Sequence, residues 1–129
     1  MPCKNWVNEE KGFTLIELMV ITVIIGLLMA IAIPNYIRIR NKGYCSQAEN
    51  DANMVANALS DYFTIPFHND LPLVKDLHVS PMNPVTITGD PNTTISVIVL
   101  DRTSRCPDDY QKADKAWDAF ANTYTKEIE

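Results

Sequence analysis

The chain has 129 residues, of which 47% are apolar and 21% charged, and its 11 Lys and Arg against 16 Asp and Glu give a net charge of −5. This length accommodates one domain and excludes a cofactor-binding domain with a second domain beside it. The acidic balance argues against nucleic-acid binding, which relies on cationic charge. No phosphate-binding glycine motif, nucleophile elbow, zinc-protease motif or Cys/His cluster occurs in the sequence. We therefore expect a protein that is not an enzyme and that holds no metal or cofactor.

The first predicted element is an apolar block from residue 13 to residue 33, with one charge, Glu17, and no proline. As a helix it would be about 31 Å long, close to the roughly 30 Å hydrocarbon core of a bilayer. Its many Leu, Ile, Val and Phe side chains favour insertion by about 4 to 8 kcal/mol, against a cost of about 3 kcal/mol for the acid. A buried core helix is the alternative, but the remaining chain is too short to cover it. The block is predicted to span a membrane.

Charge counting bears only weakly on the orientation of this span. Lys4 and Lys11 precede the block, whereas Arg38, Arg40 and Lys42 follow it. Because cytoplasmic flanks carry an excess of Lys and Arg, the count slightly favours a cytoplasmic C-terminal side. An orientation with the N-terminus inside must rest on other grounds.

A specific motif stands at the start of the block. The stretch KGFTLIEL at residues 11–18, followed by the apolar run, resembles the N-terminus of a type IV prepilin, and the similarity extends over about residues 11–36. The resemblance implies a leader, residues 1–12, that a prepilin peptidase removes between Gly12 and Phe13, and N-methylation of Phe13 by the same enzyme. It also implies a precursor in the inner membrane with its N-terminus inside, held by lipid until an assembly platform and its ATPase polymerise it into a homo-oligomeric helical filament.

Three residues in the block or directly after it have roles in assembly if the resemblance holds. An acid within a membrane helix is costly and by default functional, and the new amine of Phe13 is the expected counter-charge of Glu17. Glu17 of an incoming subunit would meet the amine of the subunit before it and set axial register; a Glu17 merely hydrated near the interface is the alternative. Gly26 and Pro34 weaken a helix, which marks residues 26–34 as the part most easily stretched on packing. Pro34 simply marking the membrane exit is another interpretation.

Beyond Pro34 the pattern becomes amphipathic. It predicts one helix from Phe13 to about Phe63, with an apolar first half, residues 13–34, and an amphipathic second half, residues 35–63. The apolar positions of the second half are Ile37, Tyr44, Ala48, Ala52, Val55, Leu59 and Tyr62 or Phe63, and the polar positions opposite them are Gln47, Asn50, Asp51, Asn57 and Asp61.

Residues 64–129 are predicted to form a small head, which makes the fold class α+β and similar to that of the type IV pilins. Four prolines in residues 64–84 indicate an irregular loop. Two β-branched runs, residues 85–88 and 95–100, flank a Gly-Asp-Pro-Asn turn and predict an antiparallel hairpin.

The last predicted element is a C-terminal helix over residues 108–124. Aromatic and apolar residues recur there at helical spacing, and Asp108 with Gln111 is the predicted capping pair at its start. Heads built of strands alone are common in the family that the N-terminus resembles, so this helix would be a departure.

Removal of the leader would leave Cys45 and Cys106 as the only cysteines. The resemblance places the head in an oxidising compartment, where disulfides form. A bond between the two would close a loop of about 60 residues and stabilise the head by roughly 4 kcal/mol. Two free thiols are the alternative.

The resemblance implies a structural function, as the major subunit of an extracellular type IV pilus. The alternative is a pseudopilin of a type II secretion system, which forms a short periplasmic filament from the same kind of N-terminus, or a minor pilin. A distant alternative is a membrane-anchored periplasmic binding module, but residues 64–129 show no constellation of polar residues that would supply a binding site.

Overall fold

The computed structural model describes residues 12–129, which form two compact units, one ending at Tyr36 and the other comprising Ile37–Glu129. The fold is α+β, as predicted. Helix α1, Leu15–Phe63, is followed by a loop that is irregular apart from a short 3-10 helix at Val74–Leu77. The remaining elements are strand β1, Val85–Gly89; strand β2, Ile95–Leu100; helix α2, Asp108–Ala113; strand β3, Trp117–Asp118; and strand β4, Thr123–Ile128.

The first unit contains the apolar part of α1. The helix begins at Leu15 because Thr14 acts as its N-cap: the Thr14 hydroxyl accepts a hydrogen bond of 3.3 Å from the Glu17 amide, which would otherwise lack a partner. Within residues 12–129, α1 is the one helix that is long enough and apolar enough to cross a membrane. No side chain of its apolar stretch is buried. A helix that is apolar on all sides and left uncovered by residues 12–129 requires lipid or other proteins around it.

In the second unit one face of α1 packs against the sheet. The buried apolar positions of this face recur at helical spacing, and they are Cys45, Ala48, Ala52, Val55, Ala56 and Leu59. The prediction is confirmed for Ala48, Ala52, Val55 and Leu59, and it did not name Cys45 or Ala56. It is wrong for Ile37, which is 49% exposed, and for Asp51, which is buried rather than solvated.

The sheet is antiparallel throughout, with the strand order β1-β2-β4-β3. Strand β2 lies inside it, and its alternate residues Ile95, Val97 and Val99 are buried in the core that α1 covers. The predicted hairpin of β1 and β2 is confirmed. Its turn requires glycine at Gly89, where φ is +121° and a Cβ would collide with the Thr94 carbonyl oxygen.

The C-terminal segment corrects the prediction of a helix over residues 108–124. Helix α2 ends at Ala113, since Asp114 adopts an extended backbone and its carboxylate accepts the Ala116 amide at 2.9 Å. Trp117 and Tyr124 then lie opposite each other on β3 and β4, with ring centroids 5.5 Å apart. The spacing of Trp117 and Tyr124, which predicted one face of a helix, instead places them opposite each other on two strands.

Candidate functional site

The predicted cleavage point lies on open backbone. Gly12 is exposed, a Cβ built on it would meet nothing within 4 Å, and Phe13 is 75% exposed. Both residues precede the first helical residue, Leu15, so the bond between them is outside the hydrogen-bonded helix. A protease needs such accessible, non-helical backbone. Lys11 and the rest of the predicted leader lie outside the described residues.

Glu17 is the third residue of α1 and its only acid in the first turn. A carboxylate at this position is favoured by the positive end of the helix dipole. Glu17 follows Phe13 by four positions, which is about one helical turn. If the chain is cut after Gly12, the free amine lies four residues before the carboxylate, at the start of an apolar helix.

Gly26 and Pro34 both lie inside α1, which the structure assigns as one helix through them. Pro34 has no amide hydrogen to donate to the carbonyl four residues earlier. A Cβ at Gly26 would meet nothing within 4 Å, so contacts within the subunit do not require glycine there. Glycine costs about 1 kcal/mol relative to alanine in a helix interior, and a role between subunits would account for it. That residues 26–34 stretch on packing stays a prediction.

A disulfide joins Cys45 of α1 to Cys106, in the connection between β2 and α2, and both residues are buried. The Asp101 carboxylate organises that connection. It accepts hydrogen bonds from the Thr103 amide and hydroxyl at 3.0 and 2.7 Å, from the Arg105 amide at 3.2 Å and from the Cys106 amide at 3.0 Å. Asp101 itself is 2% exposed. One buried carboxylate thus satisfies three backbone amides and fixes the position of the bridging cysteine.

Gln111 closes the other side of this connection and is not a capping residue. Its side-chain amide nitrogen donates to the Cys106 carbonyl at 3.0 Å and to Asn122 Oδ1 at 3.2 Å. Pro107 precedes the first residue of α2, and no side chain caps the helix. The predicted Asp108 and Gln111 capping pair is therefore wrong, because Gln111 is fully buried and bonded to a neighbouring loop.

Two further acids of α1 hold the loops of the head. Asp51 accepts the amides of Met82 and Asn83 at 3.2 and 2.9 Å and the Asn83 side-chain amide at 2.9 Å. Glu49 Oε1 accepts the Tyr110 hydroxyl at 3.0 Å and the Trp117 indole N–H at 3.1 Å. The carboxylates thereby connect α1 to the segment that precedes β1 and to α2 and β3.

The contact between Glu49 and Tyr110 predicts how stability changes at high pH. The hydrogen bond that Tyr110 donates to Glu49, together with burial and the negative charge of Glu49, raises the pKa of Tyr110. A raised pKa in the folded state stabilises the fold below the unfolded pKa of about 10, and this contribution is lost as pH rises through the folded pKa. We expect the free energy of unfolding to fall less between pH 9 and about 11 in Glu49→Gln than in the wild type.

Urea unfolding at both pH values measures this difference, and Tyr110→Phe should flatten the profile in the same way. An unchanged slope in both variants would contradict the role of this contact.

An exposed apolar helix that continues into a helix packed on a small, disulfide-closed antiparallel sheet defines a pilin-like subunit. Residues 8–33 match the family model of the prokaryotic N-terminal methylation motif. The chain is 43% identical over 56 residues to the type IV major pilin protein PilA of Myxococcus xanthus and 46% identical over 55 residues to the fimbrial protein EcpC of Eikenella corrodens. It is 38% identical over 55 residues to the type II secretion system core protein G of Escherichia coli.

Each of these three alignments covers 43% of this chain, and they cover 26%, 36% and 38% of the respective relatives. The chain thus matches well under half the length of these curated relatives. No solved structure matches it significantly. Together with the motif, the matches show that the N-terminal segment of this chain is similar to that of type IV pilins and type II secretion pseudopilins.

Proposed function

We propose that this chain is the structural subunit of a type IV pilus. It is made as a membrane-inserted precursor with its N-terminus inside, cut between Gly12 and Phe13, and N-methylated on Phe13 by the same peptidase. It then leaves the membrane through an assembly platform powered by an ATPase. The mature subunits form an extracellular helical filament. The domains of the precursor are the leader, residues 1–12; the core-forming half-helix, 13–34; the amphipathic half-helix, 35–63; and the head, 64–129.

The observation that carries the proposal is the exposed apolar helix preceded by the methylation motif. The side chains of α1 up to Tyr36 are all exposed, and nearly all of them are apolar. Exposed apolar surface costs about 25 cal/mol per Å², so this helix needs a partner that covers it along its whole length. Lipid supplies that cover before assembly, and the same helices of other subunits supply it afterwards. Relatives named as pilins and fimbrial proteins support this choice.

Glu17 determines the axial offset at which the apolar helices of neighbouring subunits pack. Apolar side chains pack against one another at many axial offsets with similar energy, because dispersion and hydrophobic contacts are non-directional. A single carboxylate that must meet a single amine in an apolar surrounding selects one offset, because every other leaves a buried charge unpaired. We propose that Glu17 of each subunit pairs with the Phe13 amine of the subunit before it.

The second candidate function is a pseudopilin of a type II secretion system. The similarity to the core protein G of Escherichia coli favours it. A pseudopilin has the same precursor, processing and helix packing but forms a short periplasmic filament. The two functions differ in where the filament lies and how long it grows.

The proposed function is tested by electron microscopy of cells that express the chain, examined both as sheared filaments and as thin sections. We expect long extracellular filaments that an antibody against the head decorates along their length, and their loss when the chain is deleted. Decorated filaments confined to the periplasm would select the pseudopilin, and the absence of any filament would contradict both.

Cleavage has a separate prediction. Gly12→Val places a branched side chain at the bond to be cut, so we expect the precursor to keep residues 1–12 and filaments to be lost. Gly43→Ala is the matched control, because Gly43 is also exposed, and a Cβ there would also meet nothing within 4 Å. Intact mass spectrometry of the membrane fraction checks both variants. A Gly12→Val subunit that is cut normally would contradict the assignment of the cleavage point.

A further inference from the structure

Four cations lie on the two segments that the disulfide joins, three of them within five residues of α1. Arg38, Arg40 and Lys42 lie on α1, and Arg105 lies in the loop that the disulfide holds against α1 at Cys45. All four are exposed. We call them the basic cluster. It includes Arg38, Arg40 and Lys42, the three cations that directly follow the apolar block.

The side chains of the cluster form no ion pair with a carboxylate of residues 12–129. Helix α1 carries no acid between Glu17 and Glu49. Arg105 Nη1 donates instead to the Tyr44 hydroxyl at 2.9 Å, and its guanidinium lies 5.4 Å from the centre of the Tyr44 ring. The hydrogen bonds from Arg105 and then Arg40 lower the pKa of Tyr44. Arg105 thus spends one of its donors on a hydroxyl, and most donors of Arg40 and Arg105 remain available to an anion.

The position of the cluster along the chain suits the headgroup layer of a membrane. Arg38 and Arg40 follow Ile33, the last residue of the apolar block, by five and seven positions, about 8 to 11 Å of helix. The polar layer on each side of a bilayer is about 5 to 8 Å thick, and arginine side chains reach back toward it. Tyr36 and Tyr44 occupy the same stretch, and tyrosine is enriched at membrane interfaces.

We propose that the basic cluster binds the phosphate groups of anionic phospholipids and holds the head against the membrane surface before assembly. This inference rests on the proposed membrane-inserted precursor and adds a specific lipid partner to it. Guanidinium groups form two parallel hydrogen bonds with phosphate oxygens, which is the contact that the unpaired donors of Arg40 and Arg105 can make. Charge complementarity favours this occupant, since the cations cluster whereas the chain as a whole is acidic.

The cluster also explains the count of cations around the span. With the N-terminus inside, three cations directly after the span lie on the side where Lys and Arg are usually fewer. Binding of lipid phosphate on that side would anchor the subunit in the membrane before assembly. On assembly, the basic cluster can exchange lipid phosphate for other contacts. Each Lys or Arg near an anionic surface strengthens binding about fivefold.

The test is native mass spectrometry of the full chain in detergent, titrated with phosphatidylglycerol or phosphatidylcholine. We expect the wild type to prefer phosphatidylglycerol, and Arg40→Gln with Arg105→Gln to lose about 25-fold in affinity for it, at about fivefold for each cation, with phosphatidylcholine binding unchanged. The matched control, Lys75→Gln with Lys112→Gln, removes the same charge from exposed positions elsewhere on the head and should bind as the wild type. Arg40→Lys with Arg105→Lys should keep only part of the preference, because the charges remain and the two-bond guanidinium contact is lost.

Both Gln variants should melt at the wild-type temperature, because the replaced side chains are exposed. Equal affinity of the wild type for the two lipids, or equal loss in the control, would overturn the proposal. If Arg40→Gln with Arg105→Gln bound lipid normally but lost filaments, the proposal would also be overturned, because the cluster would then contact a second subunit and not lipid. Lipid binding is measured on the isolated chain, independently of processing and filament formation. Loss of lipid binding with normal filaments would therefore count against this inference alone, and loss of filaments with normal lipid preference in the wild type would count against the proposed function alone.

Discussion

Replacing Glu17 by glutamine is expected to abolish filaments while leaving cleavage after Gly12 intact. The substitution keeps the size of the side chain and removes the charge that we pair with the Phe13 amine. Leaving one member of a buried ion pair alone costs about 3 to 5 kcal/mol, so the subunit concentration needed for assembly should rise a hundredfold or more. Sheared filament per membrane-bound subunit, with intact mass to verify processing, measures the effect.

Two variants control the Glu17 experiment. Asp61→Asn removes an exposed acid from the same helix and should give filaments in wild-type amount. Glu17→Asp keeps the charge on a shorter side chain and should assemble partially. Normal filament yield from Glu17→Gln would show that the carboxylate is merely hydrated, as the alternative interpretation holds.

Replacing both Cys45 and Cys106 by serine is expected to lower the melting temperature of the head by about 15 to 30 °C. Their bond closes a loop with a sequence separation of 61, and the chain-entropy model gives it about 4 kcal/mol. A domain of fewer than 100 residues shifts by about 4 to 8 °C for each kcal/mol. Tryptophan fluorescence is the readout, because Trp117 is buried in the head and Trp6 leaves with the predicted leader.

Reduction of the wild type supplies the control for the cysteine variant. A reductant should lower its melting temperature to that of the double serine variant and should leave the variant unchanged. Alkylation before and after reduction counts the free thiols by mass. A wild type that is alkylated twice without reductant, or a shift of only a few degrees, would contradict the structural role of the bond.

Periodicity and residue type were enough to predict α1 and the β1–β2 hairpin. A helix face repeats every three or four residues, and a β-branched run interrupted by a glycine turn has few other folds. The C-terminal segment was mispredicted because one pattern fits two structures. Trp117, Phe120 and Tyr124 are spaced as on a helix, but the structure buries Trp117, turns the chain at Phe120, which is fully exposed, and pairs Tyr124 with Trp117 across two strands. Only tertiary contacts decide between these outcomes.

The two parts of the functional architecture differ in how far sequence reveals them. The processing motif around Gly12 can be recognised because a peptidase reads a short continuous stretch. Asp51 and Glu49 bond to groups 31 to 68 positions away, and nothing in their local sequence marks them as buried. Asp101 is intermediate, since an Asp with a Thr two positions later is a common turn signal, although its bond to the Cys106 amide depends on the fold.

Intact mass spectrometry of the subunit taken from sheared filaments tests the central claim most directly. We expect a polypeptide that begins at Phe13, heavier than the unmodified chain by the net CH2 of one N-methylation and lighter by two hydrogens for one disulfide. A product that keeps its first twelve residues and stays monomeric in both membranes and detergent would contradict it.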